Sequence, residues 1–439
     1  MKTLKKRADF NPNRILNFCF SITLFWVMVP LWGMQDPKEP YLMPSNNLPL
    51  HADKEGNSGL NFGQDLQDSL PEIGKEKFPQ FHLNGYIKYL PSLRNSDALE
   101  KPSFDQLLHN RLNFRANLSG KWTANASLRT RFFYGNVLKQ FPDFKDFLEQ
   151  DFGYWDLSKV LWSGENYVLH SVIDRIYAEY KTDKWQLRFG RQRINWGINL
   201  VSNPNDLFNT YSFFDFDYEE RPGTDAVRLE YFLGDMKRLE FAVAPGRTKE
   251  ETVAAFLYAF NSKGYDIQFL SGYFQDRWTG GLGWAGSIKD TGFKGEISYF
   301  TDLNPIQGRD KSNIVTAISF DHMLPNGTFL VLEYLYNQQR TGVEQNLFLL
   351  NIPLQADNIS FVDHSIFLQG SYPINPILNV SLASFYYPSK NTFFISPSLR
   401  GDLIKHIDVL LIGQFFIGGS NTVFAQAGSQ IAAAFKWNF

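Results

Sequence analysis

The 439-residue chain carries 43 Lys and Arg against 45 Asp and Glu, a net charge of −2, with 16% aromatic residues and one cysteine. That balance argues against a nucleic-acid binder, and the lone Cys19 leaves no disulfide to hold the chain together. Length alone admits two or three soluble domains. In chain order, residues 1–14 are basic, 15–32 (ILNFCFSITLFWVMVPLW) form a continuous apolar run, and 35–40 (QDPKEP) are polar and proline-rich. Charge, grease and break in that order read as a secretory signal peptide over 1–33, with Gly33 the best cleavage position. The run is also long enough for a spanning helix, so an uncleaved anchor is the alternative. Loss of Lys2, Lys5, Lys6, Arg7, Arg14 and Asp9 with the signal takes the net charge from −2 to −6. Residues 34–80, rich in Pro, Asn, Gly, Asp and Glu, read as a flexible periplasmic lead-in.

From Phe81 onward, apolar and polar residues alternate over segments of about 9–11 residues, the length a tilted strand needs to cross a bilayer. Leu112, Phe114, Ala116 and Leu118 oppose Asn113, Arg115 and Asn117; Ala126, Leu128, Thr130 and Phe132 oppose Ser127, Arg129 and Arg131; Val227, Leu229 and Tyr231 oppose Arg228 and Glu230. Short connections (119–123, 181–184, 233–237, 261–264, 289–292, 324–327, 372–376, 401–406) alternate with mostly longer ones (90–108, 134–170, 195–222, 245–251, 274–276, 302–312, 338–362, 388–389, 418–424). Tight turns at one rim and long loops at the other are the build of an outer-membrane barrel. The expectation is an all-β fold: a transmembrane antiparallel up-and-down β-barrel over 81–439, of about 18 strands with 16 as the alternative. Its turns would be periplasmic and its longer loops extracellular. The chain ends in IAAAFKWNF, where Ile431, Ala433, Phe435, Trp437 and Phe439 share one face. Phe435, Trp437 and Phe439 resemble the C-terminal signal read by the machinery that inserts such barrels. A soluble all-β secreted protein is the competing reading.

With lipid outside, polar faces line the lumen, and a barrel this wide leaves a channel or a space for a plug. Parity sends Arg115, Arg129, Arg131, Arg175, Arg188 and Arg228 to that face. Arg191 and Arg193 join them if the chain bulges at Gly190 in LRFGRQRINWG, since their spacing from Leu187 and Phe189 would otherwise point them at lipid. Such a ladder would guide anionic solutes, because guanidinium stays charged and suits carboxylate and phosphate. The competing account is internal bracing, with the arginines paired to Asp174, Glu179, Glu230 and Glu240. Loop 195–222 carries Asp206, Asp215, Asp217, Glu219 and Glu220; folded inward it would oppose the arginines and narrow the lumen. DFDYEE lacks the glycine turn and ligand spacing of a calcium loop, so no metal is expected. Loop 141–170 is expected to carry a short helix and to serve as an external lid, and Trp196 to sit at the rim. None of the histidines, His51, His82, His109, His170, His322, His364 and His406, stands in a recognisable nucleophile constellation, so catalysis is not expected.

Gly190, Arg191, Gln192, Trp196 and Gly197 (G-R-Q-x-x-x-W-G), followed by Asn203 to Asp206 (N-P-N-D) and Arg221 to Gly223 (R-P-G), resemble a segment of large outer-membrane barrels of the porin and alginate-export type. The match covers about 40 residues and the general barrel pattern. The resemblance implies passive or facilitated passage of a solute, an acidic saccharide among the options, with no cofactor. The expected setting is the outer membrane of a Gram-negative bacterium, with lipid, barrel-assembly machinery and a small anionic solute as partners. A homo-oligomer or an envelope complex is compatible with the sequence. The rival functions are a non-conducting barrel subunit of an export or assembly complex and, less favoured, an outer-membrane hydrolase.

Overall fold

A computed structural model describes residues 78–95, 99, 101–210, 213–214, 223–305, 307, 310–338, 355–404, 406–418 and 427–439. The expected signal peptide (1–33) and nearly all of the lead-in (34–80) lie outside these residues. Nineteen strands form one sheet: β1 (Gln80–Asn95), β2 (Ser103–Asn117), β3 (Trp122–Gly135), β4 (Ser158–Ser163), β5 (Tyr167–Lys181), β6 (Trp185–Gln192), β7 (Thr224–Gly234), β8 (Lys237–Ala244), β9 (Val253–Ser262), β10 (Tyr265–Phe274), β11 (Arg277–Ile288), β12 (Thr291–Asp302), β13 (Ser312–Met323), β14 (Phe329–Asn337), β15 (His364–Asn375), β16 (Leu378–Tyr387), β17 (Thr392–Ile404), β18 (Ile407–Ile417) and β19 (Ser429–Asn438). Each wall strand pairs antiparallel with its neighbours in sequence, and β19 pairs with β1, so the sheet has no free edge. β3 pairs directly with β5, while β4 belongs to the intervening loop and pairs with β5 alone. The wall is therefore a closed 18-strand antiparallel barrel.

Period-2 alternation makes this wall. On β6, Trp185, Leu187 and Phe189 are exposed on the outside while Gln186 is buried and Arg188 half-buried inside. On β19, Ile431, Phe435 and Trp437 are likewise exposed, and Ala432 and Ala434 are buried within. A one-residue slip would exchange the two sets, so the apolar exterior fixes the register. At the short-turn end Trp122 meets Tyr180 at 4.9 Å and Trp185 meets Tyr231 at 4.2 Å between ring centroids, an aromatic belt of the kind that sits at a membrane interface. The seam closes through Phe439, whose backbone exchanges two hydrogen bonds with Gly85 (2.9 and 3.0 Å).

Connections follow the expected rhythm. Both described chain ends lie at one rim with eight turns of two to five residues, where positive-φ residues such as Met236, Lys263 and Lys289 bend the chain tightly; at the other rim only 275–276 and 388–391 are as short. The loop between β3 and β5 holds two short helices, α1 (Val137–Gln140) and α2 (Phe144–Glu149), before β4. Leu138 and Leu148 of these helices pack on Val168 of β5.

Candidate functional site: the basic arc and the inward loop

Residues 194–210 and 213–214, which follow β6, turn into the barrel and run along its inner wall. Their contacts take successive strands in order. Ile194 and Trp196 pack in one buried apolar cluster with Ala226 (β7), Ala242 (β8), Ala255 (β9) and Leu270 (β10). Gln268 (β10) donates to the Trp196 carbonyl at 2.6 Å, and Asn205 Nδ2 donates to the Leu282 carbonyl (β11) at 3.1 Å. Glu296 (β12) accepts from the backbone N–H groups of Ile198, Asn199 and Asn205, Ser319 (β13) donates to Asn199, and Glu333 (β14) accepts from Val201 and Ser202. Phe213 and Phe214 then insert among Phe367 (β15), Phe385 (β16), Phe394 (β17) and Phe416 (β18), with centroids 5.0–5.8 Å apart for the contacts of each ring with its nearest partners. Gln414 of β18 closes the path by donating to the Phe214 carbonyl at 2.8 Å. Among the described residues the loop therefore clads the wall from β7 to β18, and the inward sides of β19 and β1 to β6 lie outside its path.

That remaining arc is basic. In direct register across β18, β19, β1, β2, β3 and β5 stand Asp408, Lys436, Lys88, His109, Arg131 and His170, and in the neighbouring row Tyr86, Arg111 and Arg129. Asp174 occupies a bulge of β5, between the pairings of Arg175 with Ser127 and Ile173 with Leu128. The extra residue turns its carboxylate inward, where it accepts from both Arg111 and Arg129, the latter at 2.9 Å. Two guanidiniums thus share one carboxylate in a fully buried setting, each through a charge-assisted hydrogen bond. Arg131 donates to His170 Nδ1 (3.2 Å) and lies over the Phe133 ring, and Arg115 donates to Asn117 (3.0 Å); both of these partners are uncharged or weakly basic. Arg188 pairs with Glu179, and Arg228 pairs with Glu230 (2.9 Å) and Glu240 (2.6 Å).

The structure separates the eight arginines singled out in the sequence. Arg115, Arg129, Arg131, Arg175, Arg188 and Arg228 hold the inward parity that alternation predicts. Arg191 does not. No register shift occurs at Gly190, and Arg191 stays opposite Ile176 and Asp225 on the parity of Leu187 and Phe189. What Gly190 supplies is a backbone at φ 119°, which side-chain-bearing residues rarely adopt. Arg191 is hidden from lipid by residues 151–155 of the preceding loop: it donates to Asp151 (2.7 Å), Asp225 (2.7 and 2.8 Å) and the Trp155 carbonyl (2.6 Å), while Trp155 rests on Phe189. The expected inward bulge is thus replaced by a covering strap at the long-loop rim. Arg193 is half-buried beyond the end of β6, at the root of the inward loop.

Three further expectations change. Trp196 is not at the rim but 1% exposed inside the barrel, with its indole N–H donating to Glu240. Asp206 is buried within the loop and accepts from the Trp196 N–H (3.4 Å) in the loop's own turn. Asp215, Asp217, Glu219 and Glu220 lie outside the described residues. Phe435 and Trp437 hold the outward face of β19, and Phe439 closes the seam. The G-R-Q-x-x-x-W-G and N-P-N-D residues help turn strand into inward loop: Gln192 donates to the Ala226 carbonyl (3.1 Å), the Asn203 carbonyl accepts the Asp206 N–H (3.1 Å), and Asn205 is pinned to β11 and β12. Sequence reasoning did not find Glu296, Glu333, Phe213 or Phe214 as loop anchors. Their inward parity was legible, but their partner is backbone that lies more than 80 residues away for both glutamates.

One other constellation tests for chemistry. Ser158 Oγ lies 2.8 Å from His170 Nε2, but the other imidazole nitrogen meets Arg131 where a hydrolase needs a carboxylate to orient and stabilise the base. Among the described residues no group of three or more His, Cys, Asp or Glu is placed to hold a metal ion.

A closed barrel with an apolar exterior, a polar interior and a loop folded along the inner wall is the porin architecture. No family model matches the chain, and no curated protein matches it. Solved structures do. OccAB4 of Acinetobacter baumannii aligns with a TM-score of 0.53 at 11% identity, over 82% of this chain and 98% of that one. OccK8 (OprE) of Pseudomonas aeruginosa gives 0.50 at 8% identity, over 82% and 98%, and OccAB1 of Acinetobacter baumannii gives 0.50 at 9%, over 81% and 96%. At such identities the likeness is one of fold.

Proposed function

We propose that the chain is an outer-membrane channel of a Gram-negative bacterium for passive or facilitated diffusion of small hydrophilic anions, acidic saccharides among them. What supports this reading is that, among the described residues, the inward loop clads β7 to β18, which leaves β19 and β1 to β6 as the side along which a solute would pass. Among the described residues of those strands, the inward Lys88, Arg111, Arg115, Arg129, Arg131 and Arg175 outnumber the inward carboxylates Asp105, Asp174 and Glu179. A row of fixed cations in a confined lumen favours anions over cations. The bracing and guiding accounts of the arginines are both compatible with this arrangement, since Arg188 and Arg228 form ion pairs while Arg115 donates to the uncharged Asn117. No cofactor is required, and insertion would depend on the assembly machinery reading Phe435, Trp437 and Phe439.

Reversal potentials of the purified chain in planar bilayers under asymmetric salt test the reading. The expected sign is that of anion preference, and neutralising Arg129 and Arg131 together should move it toward zero. Cation preference that survives this change would reject the anionic solute. Absence of conductance together with stable co-purification of envelope proteins would favour the non-conducting subunit.

A further inference from the structure

Two carboxylates on the loop-clad arc are used in an unusual way. Glu296 and Glu333 are 0% and 1% exposed, and among the described residues neither forms an ion pair. A buried carboxylate without a cation must be satisfied by hydrogen bonds. Here the donors are loop backbone: Ile198 (2.5 Å), Asn199 (2.8 Å) and Asn205 (2.8 Å) on Glu296, and Val201 (3.1 Å) and Ser202 (2.8 Å) on Glu333, with Asn199 Nδ2 adding a sixth at 3.0 Å. Converging backbone N–H groups form a concave anion site, and in this barrel the anion is supplied by the wall itself.

The wall is also cut to receive this segment. Inward positions 281 and 283 of β11 are glycine; a Cβ at 281 would lie 2.6 Å from Asn205 Oδ1, and one at 283 would lie 2.9 Å from Ile198 Cδ1. Glycine in a strand interior weakens the strand, so a close approach of other backbone is the usual reason for it. The seat and the two carboxylates act on the same eight residues, 198–205.

We propose that Glu296 and Glu333 are positioning residues that set the width of the permeation path by clamping segment 198–205 against β11 to β14, making the inward loop a fixed partition and not a gate. This rests on the channel reading. Removing either carboxylate leaves several loop amides without an acceptor, so the segment should detach while the wall ladder, which uses none of these atoms, stays closed.

The test uses the full chain in detergent and in planar bilayers. In E296A/E333A, amide hydrogen exchange over 198–205 should accelerate ~10-fold or more while wall amides are unchanged. Single-channel conductance should rise and fluctuate. E296Q/E333Q, which keeps one carbonyl acceptor per site, should fall between. An Asn199→Cys, Ser319→Cys pair in the E296A/E333A background joins two side chains that touch in the clamped loop, and its oxidation should restore steady, narrow conductance. If the glutamate variants do not fold, Gly281→Ala and Gly283→Ala, which fill the seat and leave both carboxylates in place, should shift exchange and conductance in the same direction. Unchanged exchange, or unchanged conductance in a conducting barrel with a freed loop, overturns the clamp. A silent wild-type barrel overturns the channel reading instead, and the exchange result then shows separately whether the carboxylates hold the loop.

Discussion

The inner wall presents two arcs built from the same alternating pattern and used in opposite ways. On β1 to β8, carboxylates meet guanidiniums from neighbouring staves, as Asp174 does with Arg111 and Arg129 and Glu240 does with Arg228. On β10 to β18, Glu296 and Glu333 meet loop backbone and phenylalanines of the wall meet phenylalanines of the loop, although Asp302, Asp321 and Asp408 there keep Arg277, Lys294 and Lys436 as partners. Inward parity thus says only that a residue leaves the lipid. Whether it then lines the lumen or seats a loop depends on what arrives from elsewhere in the chain.

The sharpest way to break this contrast is at Asp174. Removing one member of a buried, hydrogen-bonded ion cluster typically costs about 3–5 kcal/mol, because the cations left behind lose their counter-charge. Asp174→Ala should therefore lower the stability of the purified barrel by about that much, read from denaturant- or heat-induced loss of the folded form, with little change in exchange over 198–205. A loss of loop docking in this variant would mean that the two arcs are coupled. The next effect in size lies on the other arc. Phe214→Ala empties an aromatic site among Phe385, Phe394 and Phe416. Burial is partial at Phe214, so the cost should fall at or below the low end of the range for Phe truncation, about 3 kcal/mol. It should appear as faster proteolysis within the inward loop and leave ion selectivity with its original sign.

How much of this was legible in the sequence follows the same division. Strand existence, the count of 18, the alternation of turns and loops, and the outward face of Phe435 and Trp437 all follow from period-2 patterning, which is local. Asp174 was legible as a partner for arginine but not as a bulge, since a bulge is defined against the opposing strand. Arg191 was misassigned for a related reason. Parity placed it toward lipid, and the remedy seemed to require a bulge. The actual remedy is a strap from residues 151–155, some 36–40 residues earlier in the chain. Trp196 was placed at the rim from the habits of tryptophan near membranes, whereas its partner Glu240 lies 44 residues downstream and inside the barrel.

Arg191 gives a smaller test that separates rim from lumen. It holds Asp151, Asp225 and the Trp155 carbonyl outside the row of Arg129 and Arg131. Arg191→Ala should free the strap, raising protease sensitivity near Phe152 and Tyr154, and should leave the reversal potential where it was. A shift comparable to that of the Arg129 and Arg131 double variant would place Arg191 on the permeation path after all.

The smallest expected effect concerns the exposed ion pair at the long-loop rim, where Lys249 Nζ lies 3.0 Å from Asp276 and Asn304 donates to both Asp276 oxygens at 3.0 Å. The Asn304 side chain first, and Lys249 second, hold the Asp276 carboxyl below its ordinary range. The hydrogen bond to Asp276 holds the Lys249 ammonium above its own. A depressed acid contributes stability above its unfolded value and loses it as pH falls through the folded one; a raised base contributes below its unfolded value and loses it as pH rises through the folded one. Both terms are present together across the whole neutral range, so the rim loops 245–252 and 303–305 should exchange at a pH-independent intrinsic-corrected rate from mildly acidic to mildly basic solution. They should loosen as pH falls below the ordinary carboxylate range or rises above the ordinary lysine range. Because the pair lies at the solvated rim, added salt should weaken it, whereas the buried Asp174 cluster should be far less sensitive to salt. Loosening of this rim near neutral pH would show that some other titrating group governs it, and equal salt sensitivity of the two clusters would erase the distinction between a braced interior and a solvated rim.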